Sequence, residues 1–279
     1  MCRRAKHIIL QEERKGKGMD LAIVLDGWSF DEEEEANNIR KIVGVDGRLK
    51  LQIRLRDGVI QWELEGRPDG KAPYGCESVL EYCLGLMEEH ERRGGKAAFL
   101  LERQELLEQL ESELLSYEKR RTALFRISDY ARSLQDALHG LGIVELVRRY
   151  AGEGAAVFQF DRHRPRLTAD RARSEALLMI QRMQLGRAVQ ALNDGIQAVE
   201  EFLAEYGLED ETGKSRERNM LIDLRRSLRE RYNIPITDDE LLQSLKAEQE
   251  VAIQQEDFEM AARLRDKINL LLAKLNGTP

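Results

Sequence analysis

The sequence predicts a mostly helical α+β protein, with one small antiparallel sheet near the start of the chain and helical hairpins after it. Two observations carry that prediction. Between residues 39 and 65, apolar and polar side chains alternate, and Asp46-Gly47 and Asp57-Gly58 interrupt the alternation as hairpin turns do. From residue 98 onward, the apolar residues recur at helical spacing. The composition agrees: 34% of the 279 residues are charged, 6% are aromatic, and only five are proline.

Taken in order, residues 1–18 are basic and end in Lys-Gly-Lys-Gly, unlike the stretch that opens at Met19. They read as a disordered tail, or as lying ahead of a true start at Met19. Residues 19–95 form the expected small α+β domain. A short helix over residues 20–25 leads to Trp28 and Phe30. The five acids at residues 31–35 read as a solvated loop, because a metal site needs spaced ligands. Residues 39–45 give the first strand. In the second, Leu49, Leu51, Ile53 and Leu55 alternate with Lys50, Gln52 and Arg54. In the third, Ile60, Trp62 and Leu64 alternate with Gln61, Glu63 and Glu65.

Three strands need a cover for their apolar face. Residues 78–92, with Val79, Tyr82, Cys83 and Leu86 on one side, are the expected covering helix, ended by Gly94-Gly95. Between sheet and helix, Gly66-Arg67-Pro68-Asp69-Gly70-Lys71 is good turn chemistry. The alternative is a loop in which Arg67, Asp69 and Lys71 hold an anion.

Residues 98–210 read as helical hairpins with an internal echo. Residues 123–151 and 176–207 each contain a helix, a polar corner, a large residue (Tyr130, Leu185) and a small one three later (Ser133, Ala188). Phe258 and Ala261 repeat the scheme near the C-terminus. A small residue lets the two helices approach, and the large one is expected to plug the corner. The pattern resembles tetratricopeptide repeats, with spacing too irregular for a regular array.

Two segments are basic. One carries Arg162, His163, Arg164, Arg166, Arg171 and Arg173. The other, residues 214–232, is a linker helix with Arg218, Arg225, Arg226 and Arg229 opposite Leu221, Leu224 and Leu228, and Asn233-Ile234-Pro235 ends it. Both clusters are candidates for phosphate contact, with Arg218, Arg225, Arg226 and Arg229 as the possible nucleic-acid contacts; each neutralised phosphate would add salt dependence, and the alternative is a solvated face.

Residues 236–279 close the chain as a helical hairpin. Thr237 and Glu240 form a capping box that starts the first helix near Asp238. Leu241, Leu245 and Ala252 share its apolar face, and residues 254–257 break the pattern. The second helix carries Phe258, Ala261, Ala262, Ile268, Leu272 and Leu275, and Asn276-Gly277 ends it. Glu248 and Arg265 fall within these stripes, so an ion pair bridging the hairpin is expected.

Asp257-Phe258-Glu259, Ala261-Ala262, Leu264-Arg265-Asp266 and Ile268 resemble the UVR motif. That motif occurs in subunits B and C of the bacterial nucleotide-excision endonuclease, in the activator of the bacterial protein-arginine kinase, and in some Clp-type ATPases. The whole layout is similar to that of bacterial UVR-motif proteins. The resemblance implies protein binding through Leu245, Glu248, Phe258, Ala261, Ala262, Arg265, Asp266 and Ile268. It implies an excision-repair subunit, or a Clp-type ATPase or kinase, as partner, and leaves a homodimer through hairpin pairing open. The cysteine clusters of the kinase activators are absent here, which argues against the kinase.

No catalytic signature is found: no phosphate-binding or dinucleotide glycine motif, no nucleophile elbow, and four histidines (His7, His90, His139, His163) without metal or triad spacing. His139 follows a helical apolar run and reads as structural. Cys2, Cys76 and Cys83 give no paired framework or zinc site, which suggests a reducing compartment. No apolar run is long enough for a membrane span. A net charge of −7 disfavours wholesale electrostatic binding to nucleic acid. The expected protein is a cytoplasmic, non-enzymatic adaptor without cofactor or metal; the alternative is an accessory factor in nucleotide-excision repair that also touches DNA.

Overall fold

The computed structural model describes residues 21–94, 104–151 and 154–275. The tail or alternative start expected over residues 1–18, and the helix stops at Gly95 and Asn276-Gly277, lie outside them. The chain divides into two compact units, Met1–Asp210 and Glu211–Pro279.

Among the described residues of the first unit, α1 (Leu21–Leu25) comes first, followed by a short 3-10 turn, Glu35–Asn38. Next come three strands, β1 (Ile39–Val43), β2 (Leu49–Leu55) and β3 (Gly58–Glu63), antiparallel in the order β1-β2-β3. Ile39 pairs with Ile53, and Leu51 with Trp62. Helices α2 (Val79–Arg92), α3 (Gln104–Arg126), α4 (Tyr130–Tyr150), α5 (Ala155–Asp161), α6 (Arg164–Gln181) and α7 (Leu185–Glu205) complete it. The fold is thus mostly α with a three-stranded antiparallel sheet, as the sequence predicts.

The sheet is covered differently from expectation. Its apolar face, Ile39, Leu51 and Leu64, packs on Ala123 and Leu124 at the end of α3, with Ile127 beside them. Helix α2 instead buries Val79, Leu80, Cys83 and Met87 among Leu110 and Leu114 of α3 and Ile143 and Val147 of α4. The sheet and the helical hairpins therefore share buried residues with one another.

The sheet's other face is also covered. Lys50 and Gln52, which alternation would send to solvent, are only 6% and 5% exposed. Arg40 Nε donates to Gln52 at 2.8 Å, and Gln52 donates to Gln61 at 2.9 Å. Lys50 pairs with Asp46 at 2.7 Å and with Glu63. Arg40 lies over the Trp28 ring at 3.9 Å and donates to the Val24 carbonyl. The segment ahead of β1 thus folds across this polar face, and the paired charges make its burial tolerable. Within that segment Asp31 accepts from the Glu33 and Glu34 amides and from Asn37, so the acid run is partly ordered by its own hydrogen bonds.

One carboxylate joins four segments. Glu113 of α3 is fully buried. It accepts from the amides of Val79 (2.8 Å) and Leu80 (3.2 Å) at the first turn of α2, where a helix leaves donors unpaired. It pairs with Arg67 at 2.9 Å, and His139 Nε2 of α4 lies 2.9 Å away. Burial pushes its carboxyl up, but the His139 bond and the two amides outweigh that and hold it below the usual carboxylate range. His139 also stacks on Tyr117 at 3.8 Å, the structural role the sequence suggested. Nearby, buried Arg120 binds Asp136 at 2.7 and 2.9 Å and caps the Glu63 and Gly66 carbonyls.

The echo in the sequence is an echo in the backbone. Ser128 (φ 59°) between α3 and α4, and Met183 (φ 57°) between α6 and α7, are left-handed. The next residue's amide then bonds a carbonyl five back, Asp129 to Leu124 and Gln184 to Met179, both at 2.9 Å. Five positions after each corner stands a fully buried small residue, Ser133 or Ala188.

Glu113→Ala is expected to cost about 3–5 kcal/mol, since it strands buried donors. The folded-state pKa lies below the unfolded value of about 4.3. The carboxylate's contribution is therefore complete above that pH and is lost as pH falls through the folded pKa. Chemical denaturation across that range should show a shallower acid decline for the variant. Met183 is 69% exposed, so Met183→Gly removes the left-handed penalty without losing packing. It should raise stability by about 0.5–1 kcal/mol, read as a higher melting temperature.

Candidate protein-docking site

The second unit contains α8 (Arg216–Tyr232), α9 (Asp238–Gln254) and α10 (Phe258–Leu275). Ser215 caps α8 by accepting from the Arg218 amide, and Asn233 (φ 50°) ends it just before Pro235. Leu221 and Leu228 are buried. The capping box forms as predicted: Thr237 Oγ1 accepts from the Glu240 amide (3.3 Å), and Glu240 accepts from the Thr237 amide (3.1 Å). Glu240 also pairs with Arg229 and lies 4.0 Å from Arg225, which ties α8 to the start of α9.

Helices α9 and α10 form an antiparallel hairpin. Its corner has the same geometry as the two in the first unit: Glu256 is left-handed (φ 58°), and the Asp257 amide bonds the Ala252 carbonyl at 2.8 Å. Leu245, Ala252, Ala261, Leu264, Ile268 and Leu271 are buried between the helices. Lys274 pairs with Asp238 at 2.8 Å across the open end.

This core corrects the expected stripe. The seam of α10 runs Ala261, Leu264, Ile268, Leu271, at alternating spacings of three and four. Phe258 lies off it and is 69% exposed, so it does not plug the corner. Leu241 (38% exposed) and Leu275 (42%) are likewise outside the core. Arg265 does not bridge to Glu248. It is exposed and binds its neighbour Asp266 at 3.0 Å, while Glu248 accepts from Ser244 at 3.2 Å. The reason is rotational. At about 100° per residue, Arg265 shares one flank of the hairpin with Phe258 and Ala262, and Glu248 shares the other with Leu241 and Ser244.

The candidate partner-binding residues therefore separate. Leu245, Ala261 and Ile268 are core, and Ala262 is half-buried. Phe258, Arg265, Asp266 and Glu248 face outward. Apolar residues outside the expected set also face outward: Val251 (50%), Ile253 (51%), Met260 (45%) and Leu270 (77%). One groove of about 480 Å³ is lined by Glu248, Val251, Met260 and Leu264. Another of about 700 Å³, at the open end, is lined by Leu241, Leu245, Lys267, Leu270, Leu271 and Lys274. The run Ala261-x-x-Leu264-x-x-x-Ile268-x-x-Leu271 was the signal that would have placed Met260 and Leu270 outside.

Most basic candidates are already engaged within the chain. Arg226 pairs with Asp223, while Arg225 and Arg229 face Glu240. In the first unit Arg164 binds Asp161 and Glu205, Arg166 binds Glu118, and Arg173 binds Asp170. Arg67 of the turn-rich loop holds Asp69 and Glu113, which makes that loop structural. Cys76 and Cys83 are free thiols. Burial, with the Glu113 charge beside it, pushes Cys83 up to about 11. Among the described residues there is no cluster of metal-ligating side chains, and no helix is long and apolar enough to cross a membrane.

Two antiparallel amphipathic helices with a small buried seam and apolar flanks define the class: a two-helix hairpin module. Residues 239–274 match the family model described as the UvrB/uvrC motif, so this hairpin is a UVR motif. Comparison with curated proteins and with solved structures gave no match.

Leu264→Ala, at the centre of the seam, should cost about 2–5 kcal/mol. Because Leu264 is internal to the hairpin, protease sensitivity of α9 and α10 should rise with it.

Proposed function

We propose that the chain is a non-enzymatic adaptor that binds another protein through the Phe258 flank of its UVR hairpin. The observation that carries this is the 69% exposure of Phe258, in line with Ala262 and the exposed Arg265 one and two turns further on. Exposed aromatic and arginine side chains on one flank are the residue types enriched at protein–protein interfaces. The partner would be an excision-repair subunit or a Clp-type ATPase, and the setting cytoplasmic. The non-enzymatic reading is supported by the engagement of His139 and Arg67 with Glu113, which leaves both groups structurally committed. The repair-factor reading needs the arginines of α8 to reach phosphate. Arg225, Arg226 and Arg229 are ion-paired within the chain, so the protein-docking reading is favoured.

The test is affinity capture from native lysate with the full chain and its Phe258→Ala and Arg265→Glu variants. Phe258→Ala should shift stability by no more than about 0.5 kcal/mol, since the ring is exposed. It should weaken the captured complex by about 2 kcal/mol, roughly thirtyfold. Equal capture by wild type and both variants would refute docking on this flank.

A further inference from the structure

A groove of about 570 Å³ lies between α8 and the start of α9, away from the seam of the hairpin and from the Phe258 flank. Its wall on α8 is the stripe Ile222, Arg225, Arg226, Arg229 and Asn233, one face of the helix. The rise from Ile222 to Asn233 is about 16 Å. Ile234 and Ile236 of the connecting turn close one end, and Glu240 of α9 stands on the opposite wall. Along its length the groove is therefore apolar, then basic, then apolar. Ile222 and Ile234 are half-buried, and Ile236 is 57% exposed.

Two of the three arginines are recessed. The Arg229 side chain is 10% exposed and that of Arg225 24%. Glu240 serves several donors at once. Its Oε2 accepts from the Thr237 amide (3.1 Å), the Thr237 hydroxyl (2.9 Å) and Arg229, and Arg225 stands 4.0 Å from its other oxygen. Arg229 Nε is buried and has no acceptor. A guanidinium carries five N–H donors, so Arg229 has capacity that Glu240 does not fill. Phosphates on the broad surface of a duplex would not reach guanidinium groups set back in a groove, whereas a carboxylate on an extended polypeptide would.

We propose that this groove binds an extended segment of another protein with the order apolar-x-acid-x-apolar. In an extended chain alternate side chains share a face and lie about 6.6–7 Å apart. Three of them span about 13–14 Å, which matches the apolar-basic-apolar order along α8. The carboxylate pairs with Arg225 and Arg229, while Arg226 stays with Asp223 at the rim. The apolar side chains rest on Ile222 at one end and on Ile234 and Ile236 at the other. Charge complementarity selects the acid: the walls carry Arg225, Arg226 and Arg229 against Glu230 and Glu240. The site is separate from the Phe258 flank and stands or falls independently of docking there.

The experiment is fluorescence anisotropy of a labelled peptide, Thr-Leu-Thr-Glu-Thr-Leu-Thr with blocked ends, titrated with the full chain. The same peptide with glutamine in place of glutamate is the control. Saturable binding is expected below about 1 mM, the range of a short flexible peptide. The glutamine peptide and the Arg225→Gln variant should each bind at least about tenfold more weakly. Ile236→Ser should weaken binding about fivefold, and because Ile236 is exposed its circular-dichroism melting should be unchanged. Failure to saturate, equal binding of the two peptides, or indifference to Ile236→Ser would overturn the proposal. Displacement of the peptide by an equal concentration of a short DNA duplex would overturn it in favour of phosphate contact.

Discussion

The first unit depends on a carboxylate placed where water cannot reach it. Glu113, on α3, offers four lone-pair directions, and the fold fills them from three other parts of the chain: the turn-rich loop, the first turn of α2, and His139 on α4. Burial of a charge is tolerated only when its hydrogen-bonding capacity is met. The same requirement fixes the entry of α2, because the amides at a helix start have no partners of their own. Arg120 does the converse further along α3, carrying a buried positive charge to Asp136 and to the carbonyls at the end of β3 and just beyond it. Between them these two residues of α3 determine where the sheet, the loop and α2 meet.

The order of elements was legible in the sequence because it rests on local chemistry. The Asp-Gly turns, the strand alternation, the capping box at Thr237 and the helix stop at Asn233 each act within a few residues, and the structure contains them all. What covers what was not legible. Residues 78–92 come directly after the sheet in the chain and have an apolar face, but so does the distal end of α3, and only packing chooses Ala123 and Leu124. Lys50 and Gln52 looked like solvent-facing positions because alternation cannot show that a segment ahead of the sheet folds over them.

At the UVR hairpin the motif was legible and its rotation was not. Phe258, Ala262 and Arg265 and the seam residues Ala261, Leu264 and Ile268 interleave along one helix, and a rotation of about 60–70° exchanges core for surface. The expected stripe took residues from both sets, which is why the Glu248–Arg265 bridge failed. In the structure those two side chains mark opposite flanks, one around Phe258 and one bearing Glu248 and Lys267. A two-helix module has little interior, so several of its large apolar side chains, Val251, Ile253, Phe258, Met260 and Leu270 among them, remain exposed.

The repeated left-handed corner bears on the order in which the chain acquires structure. Each corner closes over five residues through backbone bonds, so the loop-closure entropy of a hairpin is small and its helices can zip together early. The sheet has no such advantage. Its strands find each other through tight turns, but their apolar face waits for a helix end some seventy residues later in the chain, with Leu51 packing in the same cluster as Leu124. A growing polypeptide would therefore carry an exposed three-stranded ribbon until α3 had been made. The charged and amide side chains along its other face are then useful before the fold is complete, because they keep that ribbon from presenting two greasy faces to its neighbours.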